Sequence, residues 1–106
     1  MTADPTLPLD KLAASDFLPY LHRPFVIRLE GGDPYPLELV SVTELGEAHI
    51  PGGRRPFSLE FSNPRRDAYL SQRIYRLECE GLGTLELFLV PLGPDPEGMR
   101  YEAVIS

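Results

Sequence analysis

The chain has 106 residues and a net charge of −6, with Lys11 its single lysine and arginine carrying the rest of the positive charge. That length suits one domain over residues 1–106 and is too short for two. An acidic surface is a poor ligand for a phosphate backbone, which is bound by releasing counterions around lysine and arginine, so nucleic acid is not an expected partner.

Twelve prolines and nine glycines punctuate the chain and favour short strands over long helices. Residues 1–8 read as a loose leader that packs, if at all, through Leu7 and Leu9. Asp10–Ala14 offers one helical turn. Ser15-Asp16-Phe17-Leu18 reads as a capped helix start, with Ser15 or Asp16 accepting backbone N–H bonds. Pro19 is tolerated in the first turn, and Pro24 ends the helix by holding Arg23 extended. Phe17, Leu18 and Leu21 form one apolar face, a lid for the open end or face of a sheet.

Strand one is expected at Phe25–Glu30, where Phe25, Ile27 and Leu29 alternate. Strand two, Leu37–Leu45, begins with Leu37 and Leu39 on one side and continues with Val40 and Val42 on the other. Either both faces are covered or a bulge switches them midway. A long loop, Gly46–Arg55, leads to strand three at Phe57–Ser62, the strictest alternation in the chain. Tyr69 and Leu70 dip back to the core before strand four at Arg73–Glu80. The turn to strand five reads as a three-residue loop, Gly81-Leu82-Gly83, with Gly83 left-handed and Glu78 set opposite Glu86. The competing register pairs Arg76 with Glu86 and is set aside because it places Leu82 in left-handed geometry. Strand five ends at Pro91, Leu92–Gly98 is a proline-stiffened loop, and strand six is Met99–Ile105. The expected fold is mainly β: a six-stranded antiparallel roll or partly closed small barrel with one short N-terminal helix.

Little in this pattern carries chemistry. His22 and His49 are the two histidines, and neither stands in a metal-binding spacing. Cys79, the one cysteine, makes no internal disulfide and faces inward as a small hydrophobe. The glutamates fall on the polar sides of strands, as on a solvated sheet face. No catalytic residue, metal ligand or cofactor site is assigned, and the chain is read as a non-enzyme. The longest apolar run, Leu87–Val90, is far below the roughly 20 residues of a membrane helix, so no membrane association is expected. Met1–Pro5 lacks a basic region before an apolar stretch, which reads as cytoplasmic by default, with later assembly into an extracellular structure left open.

Two surfaces stand out. Gly52-Gly53-Arg54-Arg55 combines free backbone with two guanidinium groups, and Arg65 and Arg66 could join it to grip an anion or form a charged rim. The second is an outward row of Ile74, Phe88, Val90 and Val104, which is either covered by the leader or offered to a partner.

The segments Arg55–Phe61, Tyr75–Glu78, Leu82–Pro94 and Gly98–Val104, with Ser15–Leu21 at the start, resemble a family of small bacterial domains of unknown function. The similarity runs from about Leu9 to the C-terminus. It implies a compact, mostly-β domain and supplies no cofactor or catalytic residue. It also suggests a place among phage-tail-like or fibre structures. The leading expectation is a structural or protein-interaction domain that binds a protein partner or itself. The alternative is a small barrel that holds an anionic ligand through its arginine loops.

Overall fold

The computed structural model describes residues 6–28, 34–46, 55–65 and 70–105. Six antiparallel strands close into a barrel in the order β1-β2-β3-β6-β5-β4. They are β1 (Pro24–Arg28), β2 (Pro34–Glu44), β3 (Phe57–Asn63), β4 (Arg73–Cys79), β5 (Gly83–Asp95) and β6 (Gly98–Ile105). Among the described residues, the one α-helix is α1 (Ala14–Phe17).

That order is two three-stranded meanders, β1-β2-β3 and β4-β5-β6, joined side by side. The middle strand of each is long, and each half of it serves a different neighbour. Pro34–Glu38 pairs with β1, and Glu38–Glu44 pairs with β3. Gly83–Leu89 pairs with β4, and Val90–Asp95 pairs with β6. Such a stagger is what closing a small barrel demands. Each long strand also carries a register shift, between Leu39 and Ser41 in β2 and between Pro91 and Gly93 in β5. The shift in β2 explains why its apolar side changes midway: Leu39 stands opposite Phe61, while Val42 stands opposite Leu59.

The alternating residues fill the interior. Phe25, Leu37, Leu39, Phe57, Leu59, Phe61, Leu77, Leu85, Leu89 and Tyr101 are completely buried. Phe25 meets Phe61 edge to face at 5.3 Å between ring centres. Such a contact is worth about 1 kcal/mol beyond the area it buries.

From Thr6 onward the leader is more ordered than the sequence implies. Thr6 bridges to Thr84, Leu9–Lys11 forms a single 3-10 turn, and α1 runs into a second 3-10 turn at Leu18–Tyr20. The helix starts one residue before the expected cap. Asp16 acts from inside the first turn, where its Oδ2 accepts the Ala13 N–H at 2.7 Å. Phe17 is fully buried against Phe57, 5.6 Å between ring centres, so the segment plugs one barrel end. Leu7, Leu9, Leu12, Tyr20 and Leu21 pack around it against the core.

Two expectations in the second meander are overturned. The β4–β5 register pairs Arg76 with Glu86 and Cys79 with Gly83, which makes the loop Glu80-Gly81-Leu82. Leu82 N–H closes the turn on Cys79 O at 3.1 Å, and Gly81, at φ 89°, takes positive φ in addition to Gly83, at φ 128°, where it was expected. Leu82 carries no such strain, so the objection to this register fails, and opposite charges replace the Glu78–Glu86 clash. The second correction is that Leu92–Asp95 is strand, and only Pro96-Glu97 turns. Pro91 and Pro94 stand opposite Tyr101 and Met99, two residues apart on β6. The bulge therefore gives both prolines the same orientation toward β6. Without it they would face opposite ways, and one would sit where the ladder needs an N–H.

Candidate interaction surface

The β4–β5 register places Ile74 opposite Phe88, while the neighbouring pair Tyr75–Leu87 points inward. Val90 stands opposite Glu102, and Val104 follows two residues along β6. Ile74 is 64% exposed, Phe88 47% and Val104 56%; Val90 is half-buried. Leu92, at the β5 bulge, is also exposed, and sequence reading missed it by placing it in a loop.

From Thr6 onward the leader does not cover this face. Leu7, Leu9, Leu12, Phe17 and Leu21 pack against the core instead, and Leu18 stands half exposed, which removes intramolecular cover by the leader from Thr6 onward as an explanation of the row. The rim is charged. Arg76 lies opposite Glu86. Glu102 lies opposite Glu60, and Arg100 bonds Glu60 at 3.3 Å and Asp95 at 2.6 Å. Asp95 also accepts the N–H groups of Glu97 and Gly98, and the Glu97 bond, followed by Arg100, holds its carboxyl below the usual carboxylate range.

The arginines do not form one cluster among the described residues. Arg55 precedes β3 and Arg65 follows it, so the seven-residue strand separates them. At roughly 3.3 Å per residue that is about 20 Å. Arg54 and Arg66 lie outside the described residues, as does His49. Phe57, Tyr75 and Tyr101 are buried, and each has a partner. Phe57 packs on Phe17 at the plugged end. The Tyr101 hydroxyl accepts the Leu70 N–H at 2.8 Å and lies 3.5 Å from the Tyr35 hydroxyl. Tyr75 donates to Ser71 O at 2.7 Å.

The sequence matches DUF6916, a domain of unknown function, over residues 12–105. The chain belongs to the DUF6916 family. No curated protein and no solved structure gave a match.

Two further features of this DUF6916 domain bear on chemistry. His22 is the one non-glycine described residue with positive φ, at 67°. Its Nδ1 lies 2.9 Å from Glu38 Oε2, beside a depression of about 350 Å³ lined by Pro24, Pro36 and Pro64. The sequence gave no sign of this pair, because the contact crosses from a turn to β2. Both side chains are largely exposed, where such a pair contributes little. Cys79 lines an open depression of about 650 Å³ with Arg28, Glu78 and Glu80. Burial pushes its thiol pKa up, Glu80 adds to this, and Arg23 opposes it. A raised pKa keeps the thiol protonated and poorly nucleophilic. Among the described residues, no group of three or more His, Cys, Asp or Glu could hold a metal ion. No described helix is long and apolar enough to cross a membrane.

Proposed function

We propose that this DUF6916 domain is a non-enzymatic interaction module that binds a protein partner, or another copy, through the outer face of β4, β5 and β6. The observation that carries this reading is the exposure of Ile74, Phe88 and Val104 on adjacent strands while the leader is committed to the barrel end. Three large apolar side chains held in water on a rigid sheet cost solvation free energy that a partner would recover. A rim with both charge signs, Arg76 and Glu86 among them, gives such a contact its orientation. The place in a fibre-like or phage-tail-like assembly suggested by the family resemblance is compatible with a face of this kind.

Light scattering over a concentration series tests self-association, with Phe88→Glu as the control. A mass that rises with concentration in the native chain and stays flat in the variant supports the reading. Affinity capture with the same pair of proteins tests a different partner. A strict monomer that captures the same proteins with and without Phe88 removes the proposal.

A further inference from the structure

The apolar row ends at a corner that carries more acid than its own cation serves. Glu102 stands directly opposite Val90 of β5 on one side and Glu60 of β3 on the other. Along β6 it lies between Arg100 and Val104, which share its outward side. Arg100 is engaged twice, by Glu60 Oε1 at 3.3 Å and by Asp95 Oδ2 at 2.6 Å. Glu102, half-buried beside Val90 and Val104, has no hydrogen-bond or ion-pair partner among the described residues. Like charges that stand directly opposite on neighbouring strands repel, so Glu102 and Glu60 together favour a further cation between them.

The chain does not bring that cation from elsewhere on the face. Arg76 stands opposite Glu86, and Arg73 lies over the Tyr75 ring at 5.0 Å. Two copies meeting through this face would therefore add carboxylates to the corner and no unengaged guanidinium. Each copy also carries a net charge of −6, which opposes their approach.

Resting on the reading that this face docks a protein, we infer that its occupant is a different protein, whose contact surface sets an arginine or lysine among apolar side chains. The cation seats on Glu102, next to Glu60, while the apolar groups cover Phe88, Val90 and Val104. A long basic side chain suits this corner, because its stem lies on the aliphatic wall while its charged head meets the carboxylate. Arginine suits it best, since its planar fork serves two carboxylates that face each other across a strand pair. The apolar row supplies the hold, and Glu102 supplies the choice of partner.

The test titrates the isotope-labelled full chain with a capped peptide, Val-Arg-Phe, and with the same peptide carrying uncharged citrulline in place of arginine. Backbone amide shifts followed by NMR report where and how tightly each binds. The arginine peptide should bind several-fold more tightly and move the amides of Phe88, Val90, Glu102 and Val104. Glu102→Gln should erase that preference and leave the affinity for the citrulline peptide unchanged. Added salt should weaken the preference as well. Equal affinities in the native chain, or a preference that survives Glu102→Gln, overturn the inference while the docking face stands. Absence of both peptides from the face removes the face and the inference with it. Light scattering covers the remaining occupant. A mass that rises with concentration in the native chain, and not in Phe88→Glu, makes the occupant a second copy and overturns the inference.

Discussion

Tyr101→Phe removes one oxygen from the interior and leaves the ring in place. The hydroxyl it deletes is the acceptor of the Leu70 N–H at 2.8 Å and a neighbour of the Tyr35 hydroxyl at 3.5 Å. The lost hydrogen bond is worth about 1 kcal/mol net, and leaving a half-buried N–H without its acceptor adds about as much. The expected loss is therefore about 2 kcal/mol, from a total stability of about 5–15 kcal/mol for a domain of this size. The same hydroxyl sets an alkaline limit. Burial pushes the Tyr101 phenol well above its ordinary pKa, aided by the Tyr35 hydroxyl and opposed by the Leu70 N–H. Below about pH 10 the phenol is protonated in both the folded and the unfolded chain. Above it the unfolded chain releases a proton that the folded chain keeps, so stability falls by about 1.4 kcal/mol per pH unit until the folded phenol also ionises. Urea unfolding followed by circular dichroism reads both effects. At about pH 8 the variant should be the less stable by about 2 kcal/mol. By about pH 11 the gap should have closed by about 1.4 kcal/mol. Equal midpoints at the lower pH, or a gap that does not close, would refute the reasoning.

Gly98→Ala should destabilise by about 3 kcal/mol or more, because Gly98 has φ 151° and a Cβ there would overlap the Asn63 carbonyl; thermal unfolding measures it. Phe17→Ala removes the plug stacked on Phe57 and should cost about 3–5 kcal/mol in urea unfolding. Asp95 has a lowered pKa, so its contribution is present above the usual carboxylate range and is lost as pH falls through the folded value. Asp95→Asn should accordingly flatten the acid limb of the stability profile, read from urea midpoints along a pH series. Phe88→Glu should leave stability within about 0.5 kcal/mol, since the side chain stands half in water; a large loss would mean the face is structural.

The six strands were legible because their inward rows alternate so strictly. Phe57, Leu59 and Phe61 leave no other period open, and Tyr101 and Ala103 answer them across β6. Parity also survived the wrong hairpin register, since moving the turn by one residue shifts the pairing by two and keeps Leu77 and Leu85 on the same side. What sequence could not show was that both glycines of the turn take positive φ, with the Cys79–Leu82 bond closing the loop one residue earlier than expected. Nor could it show β5 running past Pro91, because proline reads as a strand end unless a bulge turns its nitrogen away from the partner. The outward row at Ile74 and Phe88 followed directly from parity. Whether it lay bare depended on where the leader went, and that is decided by Phe17 entering the barrel end rather than by any pattern in the row.

The joins between the two meanders are unequal. Among the described residues, seven residue pairs link β3 to β6 and two link β1 to β4. A barrel built this way has a mechanical grain. Among the described residues, force applied across the β1–β4 join meets two pairs and the exposed Arg28–Glu78 contact at 3.2 Å, which makes that line the expected place for the wall to part. Once parted, each meander keeps its own hairpin ladders and remains tied to the other through β3 and β6. The molecule would then open like a hinged cover and could close again without rebuilding either half.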